Sequence, residues 1–106
     1  MEEITVSQLK EMQETNQEFL LLDVRETFEY EFTNIGGELI PLDQLPTRVD
    51  EIESYKDKPI IVMCRSGSRS ARACEFLSRN GFNDVKNLKG GINDWAREVD
   101  PGLPVY

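Results

Sequence analysis

The chain has 106 residues, enough for one domain with a hydrophobic core, and a formal net charge of −8. This acidic balance argues against nucleic acid and anionic membranes as partners. Two cysteines make no disulfide framework, no Cys/His cluster has zinc-site spacing, and no run of about 18 apolar residues could span a bilayer. The acidic start at Met1 is unlike a signal peptide. We therefore expect one cytoplasmic domain over residues 1–106, without metal or cofactor.

The first half of the chain alternates predicted strands and helices. A capping box at Thr5 and Gln8 opens the first helix. A later helix has Phe28 and Phe32 at helical spacing, which predicts that both rings lie in the core. The predicted elements are a helix from Thr5, a strand over Phe19–Val24, a helix over Glu26–Phe32, a turn at Gly36-Gly37, a strand at Leu39-Ile40 and a helix over Leu45–Ile52.

The second half repeats this alternation. Cys74 shares a helix face with Ala71 and Leu77, which predicts a packing role, and Trp95 is predicted to be core. The elements are a strand over Ile60–Met63, a helix over Ser68–Asn80 closed by Gly81, a strand over Asp84–Leu88, a turn at Gly90-Gly91 and a helix over Ile92–Val99. Such alternation with short connections predicts an α/β domain with a largely parallel sheet.

The most informative segment follows the apolar strand over Ile60–Met63. Cys64 ends this strand, and a short loop of small residues and arginines leads into the next helix. This order places the thiol at a helix N-terminus, among backbone N–H groups and beside cations, all of which lower a thiol pKa or bind anions. The chain has no histidine, so Cys–His and Ser–His–Asp mechanisms are excluded. We interpret Cys64 as a nucleophile rather than a buried small hydrophobe.

These motifs resemble a known family. The chain is similar to single-domain rhodaneses, which are sulfurtransferases, in motif order and over nearly its whole length. The matching segments are Leu22-Asp23-Val24-Arg25, Glu29-Tyr30-Glu31, Asn34-Ile35-Gly36-Gly37, Cys64-Arg65-Ser66-Gly67-Ser68-Arg69-Ser70 and Asn87-Leu88-Lys89-Gly90-Gly91-Ile92-Asn93-Asp94-Trp95. The resemblance implies a three-layer α/β sandwich with a five-stranded, mainly parallel sheet and helices on both faces, counting a short strand near Ile4.

The resemblance also implies a two-step sulfur transfer. The Cys64 thiolate would take the outer sulfur of an anionic donor, such as thiosulfate or a persulfide or polysulfide, and pass it to cyanide or a thiol. The loop amides would cradle the sulfur, and Arg65 or Arg69 would hold the donor's anionic end. The loop residues in this role are Arg65, Ser66, Gly67, Ser68, Arg69 and Ser70.

Supporting roles are expected for Asp23 and Arg25. Asp23 ends a strand near the site and is predicted to bond nearby backbone or to pair with Arg25, as scaffold rather than as a catalyst. One departure from the family pattern is Asn34, where many members have a histidine. That position is usually structural.

Two alternatives stay open. Phosphatases and arsenate reductases of the same fold have five residues between cysteine and arginine, whereas Cys64 and Arg69 are separated by four. The shorter loop favours a single sulfur atom over an oxyanion. The other alternative is a rhodanese-like module that is non-catalytic, or that delivers sulfur to one dedicated protein acceptor.

Overall fold

Five parallel strands form the centre of the computed structural model, which describes all 106 residues. The strands are β1 (Glu3–Ile4), β2 (Leu20–Asp23), β3 (Glu38–Leu39), β4 (Ile60–Met63) and β5 (Val85–Leu88). They lie in the order β1-β5-β4-β2-β3, and every neighbouring pair is parallel. The sheet predicted from the sequence is therefore confirmed, including the short strand at Ile4.

Five α-helices connect or follow these strands. They are α1 (Val6–Glu14), α2 (Thr27–Phe32), α3 (Leu45–Arg48), α4 (Ser68–Arg79) and α5 (Gly91–Glu98), with 3₁₀ segments at Leu42–Gln44 and Val49–Tyr55. The capping box of α1 forms as predicted: the Gln8 N–H donates to Thr5 Oγ1 (3.1 Å), and the Thr5 N–H donates to Gln8 Oε1 (2.8 Å). Among these helices there is none with the length and apolar character that a membrane crossing requires.

The central strand β4 serves two hydrophobic cores. Its side chains alternate, so Ile60 and Val62 pack on one face of the sheet while Ile61 and Met63 pack on the other. The first core is shared with α3 and α4, and the second with α1 and α5. Helices therefore cover both faces, which confirms the predicted three-layer α/β sandwich.

Two expectations from the sequence were wrong. Phe28 and Phe32 are not in the core: they are 71% and 57% exposed, because α2 turns Glu29 inward instead. The predicted helix over Leu45–Ile52 ends at Arg48 and continues as a 3₁₀ segment with a non-helical backbone at Ile52 (φ −115°, ψ 17°). Ile52 is nevertheless buried in the core shared with α4.

The register of the sheet brings Asp23 and Cys64 close together. Asp23 at the end of β2 lies beside Met63 at the end of β4, and Cys64 follows directly. In a parallel sheet the carboxyl ends of neighbouring strands share one edge. The two polar groups predicted to end strands therefore lie at the same edge of the sheet.

Candidate active site

The Cys64 sulfur lies at the bottom of a loop between β4 and α4. The Gly67 N–H donates to Sγ at 3.1 Å, the Ser70 N–H at 3.4 Å, and Ser70 Oγ lies 3.3 Å away. Gly67 has φ +116°, a conformation that favours glycine, and it directly precedes α4. Cys64 is only 1% exposed, so a reacting group must reach the sulfur through a narrow opening.

Hydrogen bonding and burial shift the pKa of the Cys64 thiol in opposite directions. Burial raises the pKa of Cys64, but the Ser70 hydroxyl and the backbone N–H groups of Ser70, Gly67 and Ser66 outweigh it, so the pKa lies below its ordinary value. Cys74 shows the contrast, because burial without such donors raises its pKa to about 12. Cys74 is 2% exposed and packs in the same core. Only Cys64 therefore has the environment of a reactive thiolate.

Asn87 on β5 organises the loop from the side. Its Nδ2 donates to the Gly67 carbonyl (3.0 Å), and its Oδ1 accepts from the Ser70 hydroxyl (2.5 Å). Ser70 has a single hydroxyl hydrogen, so it donates to Asn87 while the thiol is protonated. It must turn toward Sγ to stabilise the thiolate. The protonation state of Cys64 is thereby coupled to the hydrogen bond between Ser70 and Asn87.

We expect Ser70→Ala to raise the pKa of Cys64. The variant removes the hydroxyl that favours the thiolate and keeps the backbone donors, so the pKa should move back toward the ordinary thiol value. The measurement is the pH dependence of alkylation by iodoacetamide. Ser66→Ala is the matched control, because Ser66 acts through its backbone N–H and its side chain is exposed. Equal alkylation midpoints in the two variants would contradict the role given to the Ser70 hydroxyl.

The start of α5 holds the loop from behind. The Ile92 N–H donates to the Cys64 carbonyl (3.0 Å) and the Asn93 N–H to the Arg65 carbonyl (3.1 Å). Gly91 makes this approach possible: a Cβ there would lie 2.4 Å from the Cys64 oxygen, and its φ is +55°. The carbonyls of the loop thus point toward α5, and its N–H groups are left for the sulfur.

Arg69 is paired and is not a free cation. Its two terminal nitrogens donate to the Glu29 carboxylate at 2.6 and 2.9 Å. Glu29 also accepts from the Tyr106 hydroxyl (2.7 Å) and the Glu26 N–H (2.9 Å). The ion pair with Arg69 holds the pKa of Glu29 at about 2, against the opposing effect of burial. Arg69 therefore fixes the loop to α2, and Arg65 remains as the exposed arginine of the loop.

Glu29 should make the stability depend on pH in the acidic range. Its folded pKa of about 2 lies below the ordinary 4.5, so its contribution is complete above pH 4.5 and is lost as the pH falls through 2. This difference corresponds to about 3 kcal/mol. Urea unfolding measured at successive pH values should show the loss, and Glu29→Gln should flatten it. An unchanged slope in Glu29→Gln would show that other carboxylates are responsible.

Asp23 and Arg25 form a second, fully buried ion pair. Arg25 Nη2 donates to Asp23 Oδ2 (2.8 Å) and to the Thr33 carbonyl (2.8 Å), while Nη1 donates to the Tyr106 hydroxyl (2.9 Å). Both side chains are essentially inaccessible to solvent. The Tyr106 hydroxyl therefore joins this pair to Glu29, and through Glu29 to Arg69. The pairing expected between Asp23 and Arg25 is present, and both reach the loop only through this network.

Arg65 follows Cys64 directly in the loop, and its exposed side chain defines what is called the mouth of the site below. Its guanidinium is 4.6 Å from the centre of the Tyr106 ring, an arrangement that orients an exposed cation without neutralising it. The neighbouring side chains of Ser66 and Ser68 are also exposed. The residues of the predicted loop are thus brought together around Cys64, and they divide into backbone donors, one paired arginine and one exposed arginine.

Three residues of the site were not identified from the sequence. Glu29 belongs to a motif that carries the resemblance, but an acidic residue next to two phenylalanines expected in the core gave no sign of its own burial. Asn87 interrupts the apolar pattern of β5, which is a usable signal for a polar contact. Tyr106 lies 36 positions after Ser70 in the sequence, and nothing in its neighbourhood indicated a contact.

Comparison with known proteins identifies relatives over nearly the whole chain. Residues 5–98 match the family described as Rhodanese-like domain. The chain is 32% identical to "Adenylyltransferase and sulfurtransferase MOCS3" of Arabidopsis thaliana over 97% of its length, and 40% identical to "tRNA uridine(34) hydroxylase" of Escherichia coli over 81%. It spans 25% and 26% of those two proteins, about a quarter of each.

A solved structure of similar size shows the same fold. The crystal structure of a rhodanese-related protein from Thermoplasma volcanium superposes with a TM-score of 0.81 at 36% identity. The match covers 100% of this chain and 98% of that one. The similarity therefore extends over the whole of this chain.

Proposed function

Because the chain belongs to the rhodanese-like domain family, we propose that it is a sulfurtransferase that carries sulfur as a persulfide on Cys64. The observation that supports this most directly is the position of Sγ, which accepts hydrogen bonds from the loop at the end of β4. The name of the MOCS3 relative from Arabidopsis thaliana includes the word sulfurtransferase. The cytoplasmic location and the identity of donor and acceptor stay predictions.

In the first step, the Cys64 thiolate attacks the outer sulfur of thiosulfate. A bond forms between Sγ and that sulfur, the sulfur–sulfur bond of thiosulfate breaks, and sulfite leaves with the electron pair. The N–H groups of Gly67 and Ser70 that donate to Sγ stabilise the thiolate before attack. Arg65 attracts the anionic donor to the mouth.

In the second step, an acceptor attacks the terminal sulfur of the persulfide. The new bond forms to cyanide or to a thiolate, the bond to Sγ breaks, and Cys64 returns as the thiolate. No external oxidant or reductant is required. The low pKa of Cys64 assists here as well, because a stabilised thiolate is a better leaving group.

The test is the intact mass of the protein after incubation with thiosulfate. We expect one added sulfur atom, which a thiol reductant or cyanide removes. Turnover measured with cyanide and several thiols then separates a broad enzyme from a dedicated carrier. A carrier would acquire the sulfur but release it to few small acceptors. No added sulfur with thiosulfate, persulfides or polysulfides would contradict the proposed function.

Arg65→Ala should raise the KM for thiosulfate about fivefold with little change in kcat. The exposed cation contributes to binding of the anion before and during the reaction, which is the pattern of uniform binding. Added salt should raise the KM of the parent protein in the same direction. Arg79→Ala is the matched control, since Arg79 is exposed in the last turn of α4. An equal change in both variants would exclude a specific role for Arg65.

A further inference from the structure

An exposed aromatic surface borders the active-site loop. Phe28 and Phe32 are 71% and 57% exposed on α2. The Phe32 ring meets the Tyr106 ring edge to face at 5.9 Å, and Tyr106 in turn lies beneath the Arg65 guanidinium. Phe28, Phe32 and Tyr106, called the aromatic surface below, are therefore continuous with the mouth of the site.

The aromatic surface lines an open cleft of about 310 Å³, which Glu29 also lines. Small anions gain nothing from such a cleft, since a charged solute loses hydration against apolar walls. Clustered exposed aromatic rings are typical of sites that bind proteins, where apolar side chains fill the pockets between them. The size and character of the cleft therefore suit a side chain of a larger partner better than thiosulfate or cyanide.

The charges around the aromatic surface indicate what such a partner carries. Glu26, directly before α2, and Glu31, within it, are both exposed beside the two phenylalanines in sequence. These charges favour basic groups and oppose an anionic membrane. On the other side of Tyr106, the cation of Arg65 favours an approaching thiolate.

We propose that the aromatic surface docks a protein thiol acceptor, which presents an apolar side chain flanked by basic residues beside its reacting cysteine. The apolar side chain enters the cleft between Phe28 and Phe32, and the basic residues face Glu26 and Glu31. The thiolate meets Arg65 and attacks the terminal sulfur on Cys64, leaving Cys64 as the thiolate. This inference rests on the sulfurtransferase function proposed above.

The test measures how fast synthetic cysteine peptides discharge a preformed Cys64 persulfide. One peptide carries leucine and two lysines around its cysteine. In a second peptide serine replaces the leucine, and in a third glutamates replace the lysines. We expect the first peptide to react about tenfold faster than either of the others, as the burial of one apolar side chain or the contact of two ion pairs allows.

Variants of the protein test whether this peptide preference depends on the aromatic surface. Phe28→Ser should slow discharge by the leucine peptide about fivefold and leave discharge by cyanide unchanged. Glu31→Lys should remove the preference for lysines. Glu11→Lys is the matched control, because Glu11 is an exposed acidic residue of α1 and should leave that preference intact.

Three results would overturn the proposal while leaving the sulfurtransferase function in place. The peptides could discharge the persulfide at equal rates, or the preference could survive in Phe28→Ser. Alternatively, sedimentation could show a dimer that Phe28→Ser dissociates, which would make a second copy of the chain the occupant. If no persulfide forms on Cys64, the function itself is wrong. Formation of the persulfide thus separates the two failures.

Discussion

Replacing Cys64 by serine should abolish sulfur transfer while the fold is retained. Cys64 is the only thiol that accepts hydrogen bonds from the loop, and the chain has no histidine to activate an alternative nucleophile. We expect kcat with thiosulfate and cyanide to fall by at least about 10³-fold. Serine fills nearly the same volume, so the circular dichroism spectrum should be unchanged. The intact mass should no longer increase with thiosulfate.

Cys74→Ala is the matched control for this loss. Cys74 is buried, its pKa is raised to about 12, and it contacts the core rather than the site. The variant should retain most of the activity and lose about 1 kcal/mol of stability, as expected for a small cavity. Turnover of thiosulfate by Cys64→Ser, or loss of activity in Cys74→Ala with the fold intact, would show that the nucleophile has been misassigned.

Breaking the buried ion pair should have the largest effect on stability. Asp23→Ala leaves the guanidinium of Arg25 without its bidentate partner at a site closed to solvent. Removing one member of such a pair destabilises a protein by about 3–5 kcal/mol. The measurement is the free energy of unfolding in urea. Because Tyr106 links this pair to Glu29, the variant should also loosen the attachment of Arg69.

A double-mutant cycle shows whether the loss comes from the unpaired charge. In Asp23→Leu/Arg25→Met both charges are replaced by apolar groups, so the cost should be clearly less than the sum of the two single replacements. Arg25 also donates to the Thr33 carbonyl, so some cost should remain. Additive losses would mean that the two residues act independently, and would contradict the coupling proposed here.

The elements that the sequence predicts best are those that packing alone determines. The continuous apolar strand over Ile60–Met63 matches the structure in both bounds, because its pattern reflects burial on both faces. The position of Cys64 follows from the end of that strand. The same reasoning failed for Phe28 and Phe32, since helical spacing identifies a shared face but not which face turns inward. In α2 that choice is made by Glu29, whose four hydrogen bonds come from three separate segments.

The charges of the site were also hard to predict, because they depend on contacts between segments far apart in the sequence. A count of charges near Cys64 finds three arginines between residues 64 and 74, but it cannot show that Arg69 is neutralised by a residue 40 positions earlier. Likewise, Tyr106 joins two ion pairs through one hydroxyl, a contact that depends on the complete fold. Local patterns therefore predict the nucleophile, and tertiary contacts decide which cation is left to meet a substrate.

The main-chain hydrogen bonds to Sγ have a consequence for how this domain can diversify. The donors from Gly67 and Ser70 that reach Sγ include main-chain N–H groups, and side-chain substitution does not remove such groups. Meanwhile the side chains of Ser66 and Ser68 are exposed. Selectivity can thus evolve, or be engineered, at these two positions while the nucleophile keeps its activation. The fold separates the inherited reactivity of the cysteine from the choice of molecules that approach it.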